Sequence, residues 1–265
     1  MRIIILFLFS CSLLFSKIYY AKQEPYEVRE IAANISGLVI FSDETKLGEQ
    51  LQDAPYALLD DELDKKELLS VEKKIILLEK SIKNNEEILE NLAKSLTKKQ
   101  KNYKRIEKLT IKSTLEKDRE FHDLVASQNQ YLSTEKELQS LEIQITDLKL
   151  RSEVLERSIK DKSFSAKGFV LYSLEVKKGE VVPVASKIAK IADISRGKLV
   201  IYLDAEDVDC AEKKTIYLDG VKSSYKLLHI IPIADGVNIS KYMAQIITDA
   251  PKVFSKLIKV ELRDE

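Results

Sequence analysis

A chain of 265 residues has room for one large or two ordinary domains. Its 45% hydrophobic and 32% charged content describes a polypeptide that folds, which excludes a wholly disordered chain. Lys plus Arg and Asp plus Glu stand at 43 each, so no basic excess exists to hold nucleic acid.

The first sixteen residues read as an export signal, with Arg2 as the positive start, apolar residues 3–15, and small Ser16 before Lys17. The apolar run is shorter than the roughly 20 residues that span a bilayer. Cleavage after Ser16 is the preferred expectation; the alternatives are an uncleaved anchor and lipidation at Cys11. Leu8 and Ser10 suit a lipidation signal, whereas Phe9 is bulky for it. After cleavage Cys210 would be the one cysteine left, too few for an internal disulfide. It is expected to be buried or merely tolerated, without a catalytic role.

An internal repeat follows. Residues 35–41 and 166–172 both carry Gly-x-Val-aliphatic-aromatic, starting at Gly37 and Gly168, and a second glycine comes eleven positions later, at Gly48 and Gly179. The four glycines are expected to mark turns of a small β-module, glycine being the residue that accepts positive φ. Each copy then runs into an apolar stretch ending in Asp, at Asp60 and at Asp193. Two or three short strands are marginal alone, so the copies are expected to share one core.

Between the copies, no Gly or Pro occurs from Tyr56 to Lys167. Leu68, Ile75, Ile82, Leu89, Leu96 and Tyr103 recur every seventh position, and Val71, Leu78, Asn85, Leu92, Lys99 and Ile106 follow three residues on. This predicts a coiled-coil arm. Leu124, Tyr131, Leu138, Ile145 and Ile159, with Leu141, Leu148 and Leu155, predict the second arm, weakened at Ser127, Thr134 and Ser152. Ser113 and Glu116 form a capping-box pattern that places the turn near 110–113. Two arms of about fifty residues, roughly 75 Å each, would fold antiparallel and return Asp61 to Lys162.

Beyond residue 198, runs at 199–203, 215–218, 227–233, 243–247 and 257–262 read as strands, with Asp219-Gly220 as a hairpin turn. A small β-barrel is expected. The fold class is therefore α+β, a long antiparallel coiled-coil hairpin inserted into a split biotinyl/lipoyl-like β-module and followed by a β-barrel. The expected parts are 1–16 signal peptide, 27–61 first half-module, 62–162 hairpin with its tip near 105–114, 163–196 second half-module, and 197–265 barrel.

This pattern resembles the HlyD-like membrane fusion proteins of Gram-negative bacteria. The residues carrying it are 35–48, 166–179, the hand-over Ile191 to Ile194, and 199–207. The resemblance implies a non-catalytic periplasmic adaptor that assembles as a homo-oligomeric ring. It would bridge an inner-membrane transporter of ABC or RND type and an outer-membrane TolC-like channel, in efflux or secretion. It further implies a channel-docking tip of Arg, Leu and Ser, carried here by Arg105, Leu109 and Ser113. Arg105 and Leu109 keep a one-turn spacing; Ser113 follows closer than the family pattern has it, and its plain reading is a helix N-cap. Unlike many adaptors, the chain ends where the barrel is expected to, so a minimal adaptor is expected.

Other chemistry finds little support. Lys177 and Lys178 beside Gly179 are expected to be solvated turn residues and not cofactor carriers, so no cofactor is implied. His122 and His229 suggest no shared metal site. The acidic group Asp60, Asp61, Glu62 and Asp64 suits a helix start. Charged flanks such as Lys73, Lys74, Glu79 and Lys80 could pair with neighbouring hairpins. The competing reading is a coiled-coil scaffold without a transport role, which explains the heptads but not the matched β-halves.

Overall fold

The computed structural model describes residues 17–264 except 234, 235, 237 and 239. The expected signal peptide and Cys11 lie outside the described residues. The chain divides into two compact units: residues up to Leu58 together with Phe164 onward, and Leu59–Ser163.

The first unit is built on two long strands. β1 (Lys17–Ala32) and β7 (Lys187–Asp204) run antiparallel, with Glu27 opposite Asp193 and Ile31 opposite Ala189. Between them in sequence come β2 (Gly37–Ser42), β3 (Ala57–Leu59), β4 (Ser163–Phe164), β5 (Val170–Leu174) and β6 (Val181–Val182). After β7 come a short helix α3 (Ala205–Val208), β8 (Thr215–Leu218), β9 (Val221–Lys222), β10 (Leu227–Leu228), β11 (Lys241–Asp249) and β12 (Leu257–Arg263). One sheet is ordered β10-β11-β7-β1-β12-β8-β9, with β5 also on β7; the other is β4-β3-β2-β6.

The lower stretch of β1 corrects the expected barrel boundary at residue 197. Residues 17–22 pair with β12, from Lys17 opposite Leu262 to Lys22 opposite Leu257. The barrel thus takes a strand from before the module, and β7 passes from module to barrel without a break. Tyr19, Ala21, Leu199, Ile201, Leu203, Ile216, Ala244, Ile246, Val260 and Leu262 form its buried core. Among the described residues the barrel is open between β10 and β9. The expected 227–233 strand shortens to Leu227–Leu228, since His229 takes a φ of 51°. The Asp219-Gly220 turn forms as expected, both residues at positive φ between β8 and β9.

The two half-modules share a core, with Val39, Leu51, Tyr56, Leu171, Val182 and Ile188 all buried. They exchange equivalent strand ends. Val39 N donates to Glu180 O at 2.8 Å and Gly179 N to Val39 O at 2.8 Å; Leu171 N donates to Glu49 O at 3.2 Å and Gly48 N to Leu171 O at 2.9 Å. Val39 therefore matches Leu171, one residue later than the sequence repeat places it.

In the second unit, α1 (Glu62–Glu107) and α2 (Thr114–Asp161) pack along the predicted seam. Val71, Thr134, Ile145 and Leu155 are buried, and most other seam residues half-buried, which is the limit for two helices covering each other. The expected return is present: Leu59 N donates to Lys162 O at 2.8 Å, and Asp64 pairs with Lys162 at 3.0 Å.

Candidate docking tip

The helices end where their local chemistry stops them. α1 runs to Glu107, and the Lys117 ammonium donates to Glu107 O at 3.0 Å, a cation on carbonyls the helix leaves unpaired. α2 starts on a complete capping box: Glu116 N donates to Ser113 Oγ at 3.3 Å, and Ser113 N to Glu116 Oε2 at 3.0 Å. Hydrogen bonds from Lys112 and Ser113 hold the Glu116 carboxyl below its ordinary range. The turn is residues 108–113.

This geometry corrects the one-turn relation of Arg105 and Leu109. Arg105 lies in the last turn of α1 and Leu109 beyond its C-cap, in the turn itself, with Leu109 N donating to Ile106 O at 3.0 Å. Both are exposed, as is Ser113, whose hydroxyl is engaged in capping. The sequence reading passed over two apolar side chains. Ile111 is 93% exposed and Leu115 80%, so the tip is a small apolar surface among Arg105, Lys108 and Lys112. The signal was present in the sequence: Ile111 sits inside the predicted turn, where an apolar residue has no core to enter.

Of the four module glycines, Gly48, Gly168 and Gly179 adopt φ of 81°, 87° and 94°. Gly37 is the exception to the turn assignment. It is the first residue of β2, opposite Val182, because its structural counterpart is Phe169 rather than Gly168. Lys177 and Lys178 are exposed at the Gly179 turn. At the start of α1, Asp60 Oδ1 accepts from Glu62 N at 3.1 Å, and Asp61 pairs with Lys65 at 2.7 Å. Lys73, Lys74, Glu79 and Lys80 are exposed, and Glu79 reaches Lys149 across the hairpin at 3.8 Å. Cys210 is exposed, so of the two expectations, buried or merely tolerated, burial does not hold. His122 lies on α2 and His229 just after β10. No group of three or more metal-ligating side chains occurs among the described residues. No described helix is long and apolar enough to cross a membrane.

No protein-family profile and no curated protein matches the sequence. Solved structures do. MacA from Actinobacillus actinomycetemcomitans superposes with a TM-score of 0.71 at 14% identity, over 95% of this chain and 79% of that one. The membrane fusion protein Spr0693 from Streptococcus pneumoniae R6 superposes with a TM-score of 0.64 at 9% identity, over 94% of this chain and 100% of that one. The fold is that of a membrane fusion protein. A chimera of MacA carrying the Pseudomonas aeruginosa MexA α-hairpin domain also matches, at a TM-score of 0.57 and 16% identity over 96% of this chain and 82% of that one. The α+β membrane-fusion-protein architecture read from the split repeat is thereby established. At such identities the likeness concerns the fold, and the tip residues rest on this chain's own geometry.

Proposed function

We propose that this chain is a non-catalytic periplasmic adaptor joining an inner-membrane transporter to an outer-membrane channel. The observation that carries this reading is the capped, apolar tip at the end of a 46- and 48-residue helix pair whose other end is returned to a single β-unit. A helical pair of that length reaches about 70 Å, and its tip carries exposed apolar surface that folding alone does not explain. The contact patch is Leu109, Ile111 and Leu115, rimmed by Arg105. Ser113 acts through its cap, by fixing the direction in which the turn presents those side chains. The transporter would contact the β-unit, and neighbouring hairpins would pair through charged flanks such as Lys74 and Glu79 in a homo-oligomeric ring.

The test is in-cell photo-crosslinking from position 111, followed by identification of the captured proteins. An outer-membrane channel captured at 111, with an inner-membrane transporter co-purifying, is the expected result. Leu109→Asp combined with Leu115→Asp should abolish channel capture from position 111 while helicity is retained. Capture of neither protein at native expression would leave the adaptor reading without foundation.

A further inference from the structure

A second surface, unrelated to the tip, lies on the β-unit. A groove of about 330 Å³ is lined by Tyr26, Arg196, Lys198, His229 and Gln245, with Glu27, Leu228 and Ile247 completing it. Arg196 lies over the Tyr26 ring, its guanidinium carbon 3.8 Å from the ring centroid. Stacking engages the flat face of the guanidinium and leaves its in-plane N–H fork free. Lys198 follows two positions later on β7, hence on the same strand face, at a spacing of about 7 Å. Arg196 and Lys198 make no ion pair within 4 Å among the described residues, while Asp193 stands near enough to interact with Arg196 and Glu27 with Lys198. The one carboxylate in the groove is already engaged: Glu27 accepts from Arg29 through both oxygens, at 2.6 and 2.7 Å. His229 is held at the groove in a left-handed backbone conformation, φ 51°, and the next turn is tied down by Ile231 N donating to Met243 O at 2.9 Å.

From this arrangement we infer that Arg196, Lys198 and His229 form a binding site for a phosphate group. Three donor groups from β7 and the segment after β10 surround one opening. A planar carboxylate would spend both oxygens on the Arg196 fork. A tetrahedral phosphate keeps further oxygens for the Lys198 ammonium and the His229 imidazole. Gln245 adds an amide donor, and Leu228 and Ile247 supply an apolar wall for the ester side of the ligand. Free phosphate and the phosphomonoester headgroup of phosphatidic acid both keep a third charged oxygen and offer the same chemistry here.

The experiment exploits the fact that His122 and His229 are the chain's two histidines. Inorganic phosphate is titrated into the purified protein against chloride at matched ionic strength, and both imidazole resonances are followed. A saturable shift of His229 with His122 still is expected. Arg196→Gln and Lys198→Gln, each at the surface and checked for native circular dichroism, should each weaken binding about tenfold, the loss of one charge-assisted contact. In the second arm, vesicles of phosphatidic acid with phosphatidylcholine are sedimented beside vesicles of phosphatidylcholine alone. Binding to the anionic vesicles that both variants lose, without a response to inorganic phosphate, assigns the site to the lipid headgroup. No response to either probe, or a response that neither variant diminishes, overturns the proposal.

Discussion

At Gly197 an added Cβ would meet Thr248 Oγ1 at 2.5 Å and Asp249 O at 3.3 Å. Here β7 changes partners, with Gly197 opposite Pro25 on one side and Thr248 on the other, and the Thr248 hydroxyl comes closer than a side chain tolerates. Gly197→Ala should therefore destabilise the β-unit by about 1–3 kcal/mol, the usual cost of overpacking; an unchanged urea midpoint would show that Thr248 can turn away freely. This glycine carries no sequence signal, because it belongs to neither repeat copy and its constraint is tertiary. The same holds for Asp207, which the sequence marks only as the end of the 199–207 segment after the hand-over. Burial pulls its carboxyl upward, but hydrogen bonds from Tyr19 (2.6 Å), Lys17 and Lys214 (3.1 Å) outweigh this and hold it at about 2. A folded value below the unfolded carboxylate value of about 4 means stability that is present above pH 4 and lost as pH falls toward 2. With solvent screening allowed for, the loss is on the order of 1 kcal/mol. Asp207→Asn should lower stability at pH 7 and flatten the fall between pH 4 and pH 2, read from urea midpoints across that range. An acid limb as steep as the wild type's would remove Asp207 from the account.

The helices were the most legible elements, for a physical reason. A seven-residue period survives any tertiary context, so each predicted seam position from Leu68 to Ile106 except Lys99 is at least half-buried. Lys99 is exposed and crosses to the other helix, its ammonium reaching Asp123 O at 3.4 Å and the Ser127 hydroxyl. Both contacts are exposed and replaceable by water, whereas the seam there lacks an apolar partner. Lys99→Leu is expected to stabilise the hairpin by roughly 1 kcal/mol, for some 40 Å² of apolar surface at about 25 cal/mol per Å². Thermal melting followed at 222 nm measures it, and a lowered midpoint would mean that the lysine contacts outweigh the seam. Strands were less legible. Lower β1 alternates correctly, with Tyr19 and Ala21 buried and Ile18 and Tyr20 exposed, but Pro25 breaks the pattern that would flag one long strand. The structure absorbs that proline at a register shift between Pro25 and Glu27. The repeat misled by one residue in the same manner. Its glycines align Gly37 with Gly168, whereas backbone pairing aligns Val39 with Leu171 and still Gly48 with Gly179, so the first copy carries one more residue between those points.

A chain that interrupts one β-unit with a hundred residues must make the interruption cheap for folding, and the hydrogen bonding shows how it does so. The ends of the split unit are joined by Tyr56 N donating to Phe164 O at 2.9 Å, independently of the helices between them in sequence. The buried residues of the module come from both sides of the insert, Val39 and Tyr56 from before it and Leu171 and Ile188 from after it. Each half is thus incomplete without the other, whereas the seam of the hairpin is made by α1 and α2 alone. Loop-closure entropy grows only with the logarithm of loop length, so a folded insert that returns its own ends costs the β-unit less than a flexible one. It follows that replacing residues 60–162 with a short Gly–Ser link should leave a β-unit that folds by itself. The shortened chain is expected to lose nearly all helical signal at 222 nm. It should keep a cooperative urea transition and the buried Tyr56, whose phenol burial pushes up to about 12 in the intact protein. Its tyrosine absorbance should accordingly show Tyr56, together with Tyr19, resisting alkaline ionisation until the unit unfolds. A shortened chain that melts without cooperativity and binds hydrophobic dye would mean that the helices, and not the pairing of the two halves, hold the module together.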